Sequence, residues 1–175
     1  MQSIRINDRG ITLITTSRSV IAQRLPLFIT KLVSKHNEVG IVDAGYNFNP
    51  YLMTDYLVSN SIDPHEILEK IIISRAFSCF QVANTLSSLT STHSPLIVLF
   101  LMSTFDESVK MTERRKLLTR CIQALRTHTG IVLVFHHYKY PQNELFDLLK
   151  LSARSSIELD IPVPVSQPLR LFEDY

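Results

Sequence analysis

The chain has 175 residues, of which 45% are apolar and 19% are charged, and its formal net charge is +2. This length suits one domain, residues 1–175, while the charge is too small to indicate nucleic-acid binding and two cysteines are too few for a disulfide framework. The polar start lacks a signal-peptide core and no apolar run could span a membrane, so we expect a cytoplasmic protein without membrane contact.

Strand and helix patterns alternate through the first half of the chain. They predict strands at 11–14, 39–43 and 70–74, and helices at 19–35, 50–60, 64–69 and 78–89. Two helix starts are marked by Asn49-Pro50 and Asp63-Pro64, because each pairs an N-cap residue with a proline suited to the first helical turn. Pro26 either kinks the first helix or marks its first turn.

The second half of the chain continues this alternation. It predicts strands at 95–102, 131–135, 156–159 and 169–172, and helices at 111–127 and 141–151. The strands at 95–102 and 131–135 are continuously apolar, which is typical of strands buried on both faces of a parallel sheet. We therefore predict an α/β fold with a mostly parallel, doubly wound sheet, helices on both faces, and an antiparallel C-terminal edge hairpin formed by the last two strands.

The order of motifs becomes specific between residues 41 and 81. A strand ends in Asp43 and precedes a Phe-Asn-Pro loop, and a second strand ends in Arg-Ala-Phe at Arg75, with Gln81 shortly after. This segment resembles the RecA/RadA recombinase ATPase core, especially its archaeal and eukaryotic branch. By layout the resemblance covers roughly residues 11–172, and it implies a RecA-like P-loop NTPase fold.

The resemblance implies a phosphate loop in the stretch TTSRSVIAQ, which follows the first strand. Such a loop offers backbone N–H groups and a Lys to phosphates, and a Ser or Thr to Mg²⁺. In the register of the family motif, Thr15 and Val20 replace the two glycines, Ile21 replaces the Lys, and Ala22 replaces the Thr. The expected loop length is present, but every residue that binds nucleotide is missing.

Both acidic motifs of the family are also missing. The water-activating Glu matches Ala44 or Gly45, and the Asp that orients Mg²⁺ matches Leu99 or Phe100. Together with the altered loop, these losses predict a pseudo-ATPase: a RecA-type core with a degenerate Walker A motif, no catalytic residues, no metal and no cofactor. The alternative is a divergent doubly wound domain that never had this machinery.

Polar side chains gather at the predicted carboxyl ends of strands, where open α/β sheets bind ligands. The candidate ligand or interface residues are Asp43, Asn47, Arg75, His136 and His137. They form either a ligand or metal site or a network that satisfies loop backbones, and we favour the network because adjacent strand residues face opposite sides. Arg75 is expected to form a structural ion pair with Asp43 or Asp106.

Basic residues suggest a weaker possibility of DNA contact. The candidates for phosphate contacts are Arg114, Arg115 and Lys116 on the long helix, and Lys139 in the segment HHYKYPQNE. A solvated face of a core helix explains the first three equally well, and we favour that interpretation.

The leading hypothesis is a non-catalytic RecA/RadA-like paralogue that serves as an accessory or structural subunit in DNA repair or recombination. It would act through a protein partner, either a catalytic RecA-like protein or another copy of itself, and the degenerate loop could form the interface. The alternatives are a metal-dependent hydrolase that uses Asp43, Asp106 and His136, and a stand-alone DNA-binding module.

Overall fold

The computed structural model describes residues 9–89, 93–140 and 143–159, which build a six-stranded sheet with parallel neighbours throughout. The strands are β1 (Gly10–Thr16), β2 (Val39–Asp43), β3 (Ile71–Arg75), β4 (Leu96–Leu99), β5 (Ile131–His137) and β6 (Ser155–Glu158). Their order across the sheet is β3-β2-β4-β5-β1-β6. Because β4 and β5 separate β1 from β2, the order differs from both the dinucleotide-binding and the flavodoxin-like arrangements.

Helices connect these strands on both faces of the sheet. They are α1 (Arg18–His36), α2 (Pro50–Ser59), α3 (Pro64–Leu68), α4 (Cys79–Ser88), α5 (Met111–Thr127) and α6 (Glu144–Ser152), with a 3₁₀ helix at Leu101–Thr104. The buried side chains of α1, α2 and α3 pack on one face, and those of α4, α5 and α6 pack on the other. The predicted doubly wound α/β fold is confirmed.

The two helix starts predicted from Asn49-Pro50 and Asp63-Pro64 are confirmed. The side chain of Asn49 accepts the N–H groups of Tyr51 and Leu52, and the side chain of Asp63 accepts that of His65. Pro26 lies inside α1 and is buried, and α1 continues past it to His36.

Alternate residues of the central strands supply the two halves of the core. On β4 and β5, Ile97 and Leu133 contribute to the core under α1–α3, whereas Val98 and Val134 contribute to the core under α4–α6. All four are fully buried, as expected for strands that are covered on both faces. The cysteines Cys79 and Cys121 are buried free thiols, and burial raises the pKa of Cys121 to about 12.

Two sequence predictions need revision. The strand predicted at 95–102 ends at Leu99, because Phe100 adopts a left-handed conformation with φ 52° and turns the chain into the 3₁₀ helix. The predicted C-terminal hairpin is not confirmed: β6 joins the sheet parallel to β1, and the second predicted strand, 169–172, lies outside the described residues.

The chain leaves neighbouring strands toward opposite faces at two places. After β1 it enters α1 on one face, while after the adjacent β5 it passes to α6 on the other face. The neighbours β2 and β4 diverge in the same way, toward α2 and α5. Such points create a crevice at the carboxyl ends of strands, where open α/β sheets bind ligands. No helix in the described part of the chain is long and apolar enough to cross a membrane.

Candidate interaction site at the carboxyl edge of the sheet

A single residue, Ser17, connects β1 to α1. Its hydroxyl accepts the Val20 N–H at 3.2 Å, and its carbonyl accepts the Ile21 N–H at 3.0 Å. Thr15 lies within the buried strand, while Val20 and Ile21 lie within the helix, as does Ala22. The predicted loop from Thr15 to Val20 is therefore wrong: β-branched threonines extend the strand, and a serine N-cap starts the helix at once.

Side chains line the crevice beyond the ends of β1, β4 and β5. Arg18 donates from Nη2 to the Tyr140 hydroxyl at 2.7 Å, and its guanidinium carbon lies 5.9 Å from the centre of the Phe100 ring. The His137 ring lies 6.0 Å from that of Phe100, 5.1 Å from that of Tyr138 and 5.3 Å from that of Tyr140. We call these five residues the aromatic cluster. It lies beyond the carboxyl ends of the strands, where open α/β sheets bind ligands.

The positions that match the family's acidic residues are buried or closely packed. Ala44, Leu99 and Phe100 are buried in the core. A Cβ atom at Gly45 would collide with the side-chain nitrogen of Asn47 and lie 3.3 Å from the Cβ of Phe100. A larger side chain at any of these positions would displace its neighbours.

The Asp43 carboxylate holds the loop after β2. It is buried and accepts the N–H groups of Asn47 at 2.9 Å, Phe48 at 3.0 Å and Gly45 at 3.4 Å. Its Oδ2 also lies 3.8 Å from the Nε of Arg75. These contacts use the carboxylate to satisfy a loop backbone and to form the expected ion pair with Arg75.

Exposed aromatic rings surround the Arg75 side chain. Its guanidinium carbon lies 4.6 Å from the centre of the Tyr46 ring, which in turn lies 6.3 Å from that of Phe77. Tyr46 and Phe77 are each 69% exposed, and Tyr51 is 79% exposed. We call Tyr46, Tyr51, Arg75 and Phe77 the edge patch; it borders an open groove of about 540 Å³ that also contacts Arg18.

The two adjacent histidines lie on opposite faces of β5. His136 is 1% exposed and stacks on Phe146 of α6 with 4.1 Å between ring centres, while His137 belongs to the aromatic cluster. Burial, with a smaller contribution from His137, lowers the pKa of His136 to about 4. His136 is therefore neutral at pH 7, and neither of its ring nitrogens has a hydrogen-bond partner.

The hypothetical metal site is not assembled. Within residues 9–89, 93–140 and 143–159, no three His, Cys, Asp or Glu side chains converge closely enough to hold a metal ion. The trio Asp43, Asp106 and His136 is thus not brought together as a metal site. Asp106 is fully exposed, and its carboxylate bonds Ser108, which lowers the pKa of Asp106.

The basic candidates do not share one surface. Arg114 is 8% exposed and donates from Nη1 to the Phe105 carbonyl at 3.3 Å, so its prediction as a phosphate contact is wrong: the helical period turns it inward. Arg115, Lys116 and Lys139 are exposed, and the Lys139 ammonium lies 5.9 Å from the centre of the Tyr138 ring.

Sequence reasoning identified Arg75 but missed the aromatic residues of the edge patch and the two residues Arg18 and Tyr140. A signal was present, because Tyr46 and Phe77 each follow closely on a residue that ends a strand, Asp43 and Arg75 respectively. Comparison with known proteins adds no further assignment: no protein-family model matches the chain, and no curated protein matches it significantly.

The Asp43 contacts predict a large stability effect. We expect Asp43→Ala to lower the free energy of unfolding by about 2–4 kcal/mol, because it leaves loop N–H groups and Arg75 without their acceptor. Urea unfolding measures this change. Asp106→Ala is the matched control and should change the free energy of unfolding much less, since that carboxylate is exposed. Equal losses in the two variants would contradict the assigned role of Asp43.

The buried His136 predicts sensitivity to acid. The pKa of His136 is about 4 in the folded protein and near 6.5 in the unfolded chain. Between these values only the unfolded chain binds the proton. The free energy of unfolding is therefore highest above pH 6.5 and decreases as the pH falls toward 4. The loss should amount to about 2–3 kcal/mol in the free energy of unfolding. His136→Phe should flatten the pH dependence of that free energy. If the free energy of unfolding depends on pH in the same way in wild type and in His136→Phe, the assigned role of His136 is wrong.

Proposed function

We propose that this chain is a non-catalytic RecA/RadA-like protein that acts as an accessory or structural subunit in DNA repair or recombination, through a protein partner. The observation that carries this proposal is the one-residue connection from β1 to α1. Ser17 bonds the Val20 and Ile21 amides, and the aromatic cluster lines the space beyond them.

The fold supports the RecA-like part of the proposal. A parallel, doubly wound sheet with helices on both faces is consistent with a RecA-like core. The sequence resemblance at Asp43, Arg75 and Gln81 points in the same direction. In the structure these residues stabilise the core: Asp43 and Arg75 pair, and the Gln81 side chain accepts the Phe77 N–H at 2.7 Å. An ATPase ancestor could lose its chemistry and keep these contacts.

The edge patch supports a protein partner. Tyr and Arg are enriched among the residues that contribute most binding energy at protein interfaces, and aromatic residues are enriched at interfaces generally. Here Tyr46, Tyr51 and Phe77 expose their rings around Arg75 without covering one another. Leaving such rings in water is unfavourable, and a partner surface would bury them.

The observations favour a protein partner over nucleic acid. The net charge is only +2, Arg114 is directed into the core, and the exposed candidates are two residues of α5 and Lys139. Counterion release by many clustered cations drives nucleic-acid binding, and this surface offers few of them. A catalytic RecA-like protein is the partner that the resemblance suggests.

A capture experiment with the tagged chain tests this function. We expect recombination or replication proteins from the native organism to co-purify with wild type. Phe77→Glu should reduce their recovery about tenfold or more, since it replaces an exposed ring of the edge patch with a charge. Leu151→Glu is the matched control, because Leu151 is 83% exposed on α6, which packs against the opposite half of the sheet.

Two outcomes of the capture experiment would contradict the proposal. If no recombination or replication protein co-purifies with wild type, the proposed function fails. If Phe77→Glu recovers as much partner as Leu151→Glu, a partner exists but does not bind at the edge patch.

A further inference from the structure

The open groove of about 540 Å³ beside the edge patch has a largely aromatic and apolar wall. Tyr46 and Tyr51 line it with side chains that are 69% and 79% exposed, and Leu52 adds a side chain that is 42% exposed. Pro50 and Arg18 line it as well. Grooves lined by aromatic side chains are typical of sites that bind proline-rich segments in the extended polyproline conformation.

The chain itself contains a proline-rich segment after β6. Residues 161–168 read IPVPVSQP and lie outside the described part of the chain. Proline fixes its own φ and disfavours helix in the residue before it, so Ile161, Val163 and Gln167 are biased toward extended backbone as well. The sequence of this segment therefore favours an extended, polyproline-type conformation with apolar side chains, which is the kind of ligand that an aromatic groove accepts.

The chain enters this segment at the edge of the sheet where the groove lies. Leu159, the last described residue, donates its N–H to the Thr15 carbonyl at 2.9 Å, and its own carbonyl accepts the Thr16 hydroxyl at 2.9 Å. These bonds hold the start of the segment against the carboxyl end of β1. Arg18, which lines the groove, follows Thr16 by only two residues.

The length of the segment matches the distance to the aromatic wall of the groove. Tyr46 and Tyr51 follow β2, which is separated from β6 by β1, β5 and β4. Because neighbouring strands lie about 4.8 Å apart, the distance from β6 to β2 is about 19 Å. An extended proline-rich chain advances about 3.1 Å per residue, so about six residues cover this distance. Residues 161–168 can therefore reach both tyrosines.

We propose that residues 161–168 dock in this groove of their own chain, against Tyr46 and Tyr51. Docking buries apolar surface of both the segment and the groove, and the prolines reduce the entropy that is lost. Because Leu159 tethers the segment, its effective concentration at the groove is on the order of 1 mM, so an intrinsic Kd near that value leaves about half of the molecules docked. The regulatory consequence rests on the proposed function: the docked segment covers part of the edge patch until a partner displaces it.

Paramagnetic relaxation in the full-length chain tests the docking without any partner. A nitroxide attached to Ser166→Cys labels one site selectively, because the native thiols of Cys79 and Cys121 are buried. If the segment docks, the amide signals of Tyr46 and Tyr51 lose most of their intensity, and reduction of the nitroxide with ascorbate restores it. A well-dispersed amide spectrum verifies that each labelled protein is folded.

Two variants and one mixture complete this test. Tyr51→Ser removes an exposed ring of the groove and should restore most of the Tyr46 intensity, whereas the matched control Leu151→Ser, at an exposed position of α6, should leave that signal weak. Three results would overturn the proposal: full Tyr46 and Tyr51 signals in the nitroxide-labelled chain; equal signal loss in the two Ser variants; or signal loss in an isotope-labelled chain caused by a nitroxide on a second chain, which would assign the groove to another copy. The capture with Phe77→Glu has a separate readout, so failure of one experiment leaves the other interpretable.

Discussion

The hydrogen bonds of Ser17 place the first strand and the first helix in direct succession. Its hydroxyl accepts the Val20 N–H and its carbonyl accepts the Ile21 N–H, so these two amides are bonded within the chain and the connection needs no loop. Arg18 then stands at the helix start, where it reaches Tyr140 and Phe100. The absence of a loop between β1 and α1 follows from this one-residue connection.

Much of the fold could be predicted from the sequence because its signals are local. Strand β2 and helix α5 have the predicted bounds, since continuous apolar runs, helical spacing and caps fix an element within a few residues. The early end of β4 could not be predicted, because the left-handed Phe100 gives no local signal and is held by burial and by its N–H bond to the Phe135 carbonyl. The position of β3 at the edge of the sheet could not be predicted either, because it depends on the strand order.

The candidate site was predicted less completely, for a physical reason. Residue types can be read directly, so the sequence shows that Lys, Glu and Asp do not stand at the positions that match the family motifs. The contacts made around these positions depend on distant segments, such as Arg18 with Tyr140, and on which side of a helix faces the core, as for Arg114. The role of Asp43 also depends on its contacts. A carboxylate at this position could bind a metal ion or accept loop N–H groups, and only the partners seen in the structure distinguish these two roles.

Amide hydrogen exchange at Val20 and Ile21 tests the central claim most directly, because a phosphate loop and a capped helix differ most there. If Ser17 holds these two N–H groups, they exchange slowly in the free protein, and adding Mg²⁺ with ATP leaves their rates unchanged. Rapid exchange that slows when Mg²⁺ and ATP are added would contradict the account, since it would reveal an open loop that closes on phosphate.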